Sequence, residues 1–272
     1  MLKVTINEEM ITIKDARDIS KQLQEYLRLR TQILGFKLLE EESELNNINK
    51  IRRPSFRGSL CQFITIARTY GWSLGLTRQD LAFPTCAAII GFCEMPQEYL
   101  EGKVMNEVWF KTTEDASKHM QQMPRVKPGK YHAAVISPLS KGVLEPDIIF
   151  IYGTPAQMVR LITGIQYYDY ERMQFSYTGE ESCADAIAQC YLSQKPSLTI
   201  PCFGERRFGG VMEDEVVITI PWGQIEKVLD GLEKTEKMGL RYPVPFYGST
   251  YDPRFGVPEK YQNVINKFCE GK

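Results

Sequence analysis

The run Ile148-Ile149-Phe150-Ile151-Tyr152, followed by Gly153-Thr154-Pro155, constrains this chain more than any other stretch. Consecutive β-branched and aromatic residues leave no polar face for water, so the run predicts a central strand covered on both sides. Gly153 turns the chain, Thr154 caps, and Pro155 takes the first helical position, where a missing N–H costs nothing. Gln157, Val159, Leu161 and Ile162 then carry a helix to Gly164. A buried strand feeding a helix points to an α/β fold, with α+β as the alternative, built on a mixed sheet flanked by helices. The free N–H groups at that helix start also favour an anion, which makes Thr154 and Gln157 ligand-binding candidates as well as caps.

The other elements follow from spacing. Residues 2–13 alternate and predict a hairpin turning near Asn7-Glu8. Asp15 starts a helix whose face is Ile19, Leu23, Tyr26 and Leu27; Gly35 ends it, and Phe36–Leu39 reads as a strand. Residues 60–68 read as a helix, 72–76 as a short strand, and Val108-Trp109-Phe110 as another strand. Thr113 caps a helix over 114–123, and Ala133–Ile136 is a buried strand. Further on come a helix at 183–189, strands at 197–200 and 216–221, and a helix over 222–234 closed by Gly239. A tail rich in proline and aromatics ends in a short helix beginning at Pro258.

Composition excludes several classes of function. With 272 residues, 43% of them apolar, and a formal net charge of -1, the chain has a globular balance and no basic field to attract nucleic acid. No run reaches the roughly 20 apolar residues of a membrane span, and the N-terminus lacks the apolar core of a signal peptide. A cytoplasmic protein with no membrane or nucleic-acid partner is therefore expected. An odd set of seven cysteines without an export signal argues against a disulfide framework. His119 and His132 are the only histidines, too few for a histidine-rich metal site; both read as structural or exposed, and a Ser-His-Asp triad is improbable.

The cysteines suggest an internal repeat. Cys61, a helix, a turn, a strand and Cys86 are echoed by Cys183, a helix, a turn, a strand and Cys202. In this reading a strand at 108–110 matches the strand at 216–220, and a helix at 114–123 matches that at 222–234. The chain then divides into an N-terminal extension (1–50), a first half (51–145), a second half (146–239) and an aromatic tail (240–272) packed on the same body. A pseudo-twofold axis would bring equivalent cysteines to equivalent places around one cleft.

Several stretches resemble the prokaryotic family known as domain of unknown function 169. They are Ala67-Arg68-Thr69-Tyr70-Gly71 after Cys61, Cys86-Ala87-Ala88, Val135-Ile136-Ser137-Pro138-Leu139 and Pro146-Asp147-Ile148-Ile149. The match continues through Gly153–Leu161, Cys183-Ala184-Asp185 and Pro201-Cys202-Phe203-Gly204-Glu205-Arg206. The resemblance runs from about residue 25 to about residue 235 and implies no activity, substrate or cofactor.

Function is therefore read from the residues. Thiolates are soft ligands, so Cys61, Cys86, Cys183 and Cys202 are candidate donors to an iron–sulfur cluster or zinc. No CxxC pair presets them, and the plain alternative is that each packs as a small hydrophobe. Cys93, Cys190 and Cys269 read as packing residues. Arg206 could lower a thiol pKa or hold a carboxylate or phosphate, with Gly204 bringing backbone close to a ligand. Asp185, in the first turn of its helix, is a further ligand candidate whose bland role is to complement the helix dipole. Two readings stand beside the metal site: a metal-free module for a small anionic ligand, and an accessory subunit of a redox complex. Whether the protein is an enzyme stays open, as does its oligomeric state.

Overall fold

Asp15 caps the first helix, α1 (Ala16–Leu27), its carboxylate accepting the Arg17 N–H at 2.8 Å. In a computed structural model, residues 15–270 are described, so the hairpin expected over 2–13 lies outside them. Leu27 ends α1, well before Gly35. That glycine instead lies inside the strand β1 (Leu34–Leu39), where a Cβ would meet Pro146 at 3.0 Å.

Next come α2 (Leu60–Tyr70), β2 (Leu74–Thr77), α3 (Pro84–Ile89), α4 (Gln97–Leu100) and α5 (Thr113–Gln122). Ser59 and Gln62 form a capping box on α2, and Gly71 closes it with φ +72°. The cap of α5 is Thr112, one residue before the expected Thr113. β3 (Ala133–Pro138) and β4 (Ile148–Gly153) follow, and Thr154, Pro155 and Gln157 start α6 (Pro155–Ile165) as the sequence dictates. A π-helical turn (Ala184–Gln189) runs into α7 (Cys190–Ser193), then β5 (Ser197–Thr199), α8 (Phe203–Gly209), β6 (Val216–Pro221), α9 (Ile225–Lys237) and α10 (Glu259–Glu270).

The six strands form one sheet in the order β2-β3-β1-β4-β6-β5. The expected sheet flanked by helices is present, and all five of its ladders are antiparallel, the α+β form. Alternation sorts side chains to two faces. Leu34, Phe36, Phe150 and Tyr152 enter a core shared with α2, α3, α5 and the 183–190 helix. Ile149, Ile151, Ile218 and Ile220 enter a second core shared with α1, α6 and α9. On that second face α6 and α9 touch backbone to backbone: a Cβ on Gly231 would fall 2.3 Å from the Gly164 carbonyl oxygen. Residues 240–269 contain no buried side chain, and Phe246, Phe255 and Phe268 are exposed.

The sheet is pseudo-symmetric in register as well as order. Leu34 of β1 pairs with Pro138, and Ile148 of β4 pairs with Pro221. Leu74 of β2 pairs two residues before Pro138, and Ser197 of β5 pairs two residues before Pro221. At the centre, Leu34 faces Phe150 and Phe36 faces Ile148, which is what exchange of β1 with β4 demands. The axis therefore passes through the Gly35–Ile149 pair. Phe36 and Phe150 meet across it, ring centroids 6.1 Å apart.

This register corrects the alignment of the halves. The symmetry counterpart of β6 is β3 at 133–138, and Val108–Phe110 is no strand: it is a turn closed by a single Asn106–Phe110 bridge. β-branched and aromatic residues there imitate a strand, but Val108 and Trp109 are exposed. Segment 90–132 is an insertion in the first half, carrying α4 and α5 between α3 and β3. Likewise α9 has no counterpart in α5, because only a 3-10 turn, Leu139–Lys141, follows β3.

Candidate functional site

The symmetry places the cysteine helices on the same face of the sheet. Ser59 lies 74 − 59 = 15 residues before β2, and Ser182 lies 197 − 182 = 15 residues before β5. Cys61 is 13 residues before its strand and Cys183 is 14, so the thiols are offset by one within matched segments. A π-turn is the usual way a helix absorbs one extra residue, and the second segment contains one at Ala184–Gln189. Cys86 stands in the first turn of α3, and Cys202 is the N-cap of α8.

All four cysteines line one cavity of about 260 Å³. α8 packs tightly on α2 there: a Cβ on Gly209 would lie 3.2 Å from the Cys61 carbonyl oxygen and 3.2 Å from Thr65 Oγ1. This closeness brings Cys61 Sγ to 3.0 Å from Ser59 Oγ and 3.8 Å from the Gly204 carbonyl oxygen. Ser182 Oγ accepts the Cys202 N–H at 2.8 Å and donates to Glu205. Tyr152 O–H donates to the other Glu205 oxygen at 2.7 Å. Glu205 is thus buried but fully engaged.

The cavity wall is acidic and soft. Glu180, Glu181 and Glu205 line it with the four thiols, and no lysine, arginine or histidine does among the described residues. Burial pushes the Cys61 thiol up to about 11 and Cys86 up to about 12, and raises Cys183 well above the ordinary thiol value. These three cysteines are therefore thiols at neutral pH, and any metal must displace their protons. No group of three or more His, Cys, Asp or Glu residues among the described residues is gathered to hold a metal ion. The mouth is aromatic. Phe83 meets Phe208 at 5.7 Å and Trp109 meets Phe203 at 5.5 Å between ring centroids, all four side chains partly exposed.

Of the ligand candidates, only Gly204 lines this cavity. The Arg206 guanidinium donates to the backbone oxygens of Pro201 and Met212, at 3.2 and 2.6 Å. Thr154 and Gln157 cap α6, and Gln157 Nε2 donates to the Leu27 carbonyl at 2.7 Å, tying α6 to α1. Gly204 and Gly209 belong to α8. Asp185 faces a separate, open depression of about 790 Å³ at the sheet edge. On its rim Lys195 pairs with Glu171 at 2.7 Å and Lys227 with Asp169, and Arg172 lines it as well.

Sequence reasoning missed the carboxylates. Gly179-Glu180-Glu181-Ser182-Cys183 does carry a signal, an acidic pair directly before a cysteine helix. Glu181 takes a left-handed conformation (φ +59°) and is buried. His119, expected to be structural or exposed, reaches over from α5 to 3.4 Å from Glu181 Oε2. Burial raises the Glu180 carboxyl to about 7, with Glu181 adding and His119 opposing; burial raises Asp185 to about 6, against His119. A carboxyl with a raised native pKa binds its proton more tightly when folded. Its contribution is full below the unfolded value and is lost as pH rises through the native value. Glu180→Gln keeps the neutral form at every pH. Its melting temperature should therefore gain on the wild type by about 2–4 °C between about pH 5 and about pH 8. Parallel wild-type and variant profiles in differential scanning calorimetry would refute this.

Comparison with known proteins gives a family but no activity. No solved structure matches the chain. A protein of Methanocaldococcus jannaschii, named only as uncharacterised, is 29% identical over 224 residues, covering 81% of this chain and 95% of its own length. Residues 22–231 match the sequence pattern of the family described as uncharacterised ArCR. That span runs from α1 through β6 into α9 and includes all four cavity cysteines, and the chain belongs to this family, domain of unknown function 169.

Proposed function

We propose that the cavity holds an iron–sulfur cluster through Cys61, Cys86, Cys183 and Cys202. The observation that carries this reading is the convergence of these four cysteines, from two symmetry-related helix pairs, on one buried cavity. Four thiolates are the standard donor set of such clusters, and they are also ligands for zinc. The size of the space favours the cluster. A single zinc needs each sulfur within about 2.3 Å, which would require the walls to close inward. A cluster carries its own irons and sulfides into the gap and needs less closure.

When bound, such a cluster supplies one-electron transfer. The chain's own residues do the rest. Ser59 lies against the Cys61 sulfur, Ser182 orders the Cys202 backbone, and the Phe83–Phe208 and Trp109–Phe203 pairs limit water at the mouth. An anionic ligand finds less support, because the lining offers it no cationic side chain among the described residues.

Protein purified without air, or reconstituted with iron and sulfide, should show visible charge-transfer absorbance with stoichiometric iron and acid-labile sulfide. Cys61→Ser and Cys183→Ser should each lower bound iron by more than half, while Cys93→Ser leaves it unchanged. Stoichiometric zinc without sulfide would replace the cluster by a zinc site. Absence of both metals, or retention of iron in all the serine variants, would overturn the reading.

A further inference from the structure

The thiols occupy only part of the cavity wall, and the remaining charged groups ask for a different occupant. Glu180 Oε2 and Glu181 Oε2 are buried without a hydrogen-bond partner. Glu181 is only 8% exposed. Leaving a buried carboxylate oxygen unpaired is costly, more so than for a neutral group. Glu205, the third carboxylate of the lining, is satisfied by Tyr152 and Ser182. The His119 imidazole stands 3.4 Å from Glu181 Oε2, and its Nε2 also lacks a hydrogen bond. No hydrogen bond among the described residues satisfies either oxygen, and Arg68 is already matched by Glu215.

The mouth adds an independent feature. Phe83, Trp109 and Phe208 line the cavity beside this acidic wall with ring surface open to solvent, and Phe203 packs on Trp109. Such faces attract cations: the Arg207 guanidinium already stands 6.0 Å from the centroids of both Phe203 and Phe208. Gly204 keeps the passage between the acidic and thiol walls open, since its Cβ position lies 3.4 Å from Glu180 Oε1 and 3.6 Å from Cys202 Sγ.

We infer that the cavity binds a small organic amine, its ammonium group donating to Glu180 and Glu181 and its apolar part lying against the aromatic mouth. The ammonium supplies the donors that these two oxygens lack. This inference uses the cavity of the cluster reading but does not depend on a cluster. Metal analysis tests one and ligand binding the other, so either can fail alone.

Titration calorimetry on the full chain at neutral pH, with its metal content recorded, provides the test. The probes are benzylamine and tyramine, with benzyl alcohol and benzoate as uncharged and anionic counterparts. The amines should bind at least tenfold more tightly than benzyl alcohol, and benzoate most weakly. Glu181→Gln should weaken amine binding about tenfold or more, and Glu180→Gln in the same direction, with benzyl alcohol unaffected. Because Glu181→Gln could disturb folding, the Glu180→Gln result is read with it, in variants whose melting cooperativity matches the wild type. Failure of both amines to bind, equal affinity for benzyl alcohol or benzoate, or amine affinity indifferent to both substitutions would overturn the inference.

Discussion

Arg68→Ala will destabilise the protein by about 3–5 kcal/mol, the cost of stranding a buried charge. The Arg68 and Glu215 side chains are 3% and 2% exposed, and Arg68 Nη1 lies 3.0 and 3.1 Å from the two Glu215 oxygens. Its guanidinium also stacks 4.4 Å from the centroid of the Tyr152 ring. Glu215 accepts the Met212 N–H at 2.9 Å, so the pair ties α2 to the turn that leads into β6. Removing the arginine leaves the glutamate with one backbone donor in an apolar setting. Replacing both partners, as Arg68→Met with Glu215→Leu, should recover most of the loss, because desolvation then disappears with the charges. Urea denaturation of the three proteins measures this. A loss below about 1 kcal/mol in Arg68→Ala would show that the pair is not the buried brace described here. The consequence reaches the cavity, because Tyr152 also donates to Glu205.

Phe150→Ala should cost about 3–5 kcal/mol, as should its symmetry mate Phe36→Ala. Both rings are essentially inaccessible and lie edge to face across the pseudo-twofold axis. Each loss combines the transfer free energy of a phenyl ring with the cavity left behind, and the flanking β1 and β4 backbones cannot close onto it. The double variant should lose less than the sum by about 0.5–1.5 kcal/mol, the part carried by ring–ring contact. Strict additivity in chemical denaturation would mean that the two rings do not interact. Very unequal single losses would show that the symmetry of the sheet does not extend to its energetics.

Local signals named most elements because they are enforced by local physics. The Thr154-Pro155-Gln157 start of α6 and the apolar run of β4 leave the backbone few alternatives. Gly35 misled for an equally physical reason. A glycine after an amphipathic run reads as a helix stop, but here it admits Pro146 against the strand. Val108–Phe110 has strand composition and yet forms a turn, with Val108 and Trp109 exposed and a single Asn106–Phe110 bridge in place of a ladder. Arg206 has the charge to hold an anion, but its guanidinium is spent on carbonyls of Pro201 and Met212 that only the fold brings near.

By itself the sequence determined the helix caps, the buried central strand, the cysteine-bearing helices and the family. Each of these is set by neighbours within a few residues or by identity along the chain. Only the tertiary structure decided that Cys61, Cys86, Cys183 and Cys202 share one cavity, and that Glu180, Glu181 and Glu205 share it with them. Convergence depends on antiparallel registry about the Gly35–Ile149 pair and on the close approach of α8 to α2. It depends equally on the insertion that carries His119 to Glu181. Burial and unpaired charge arise between segments far apart in the chain, His119 and Glu181 among them, where linear spacing contains no record of distance.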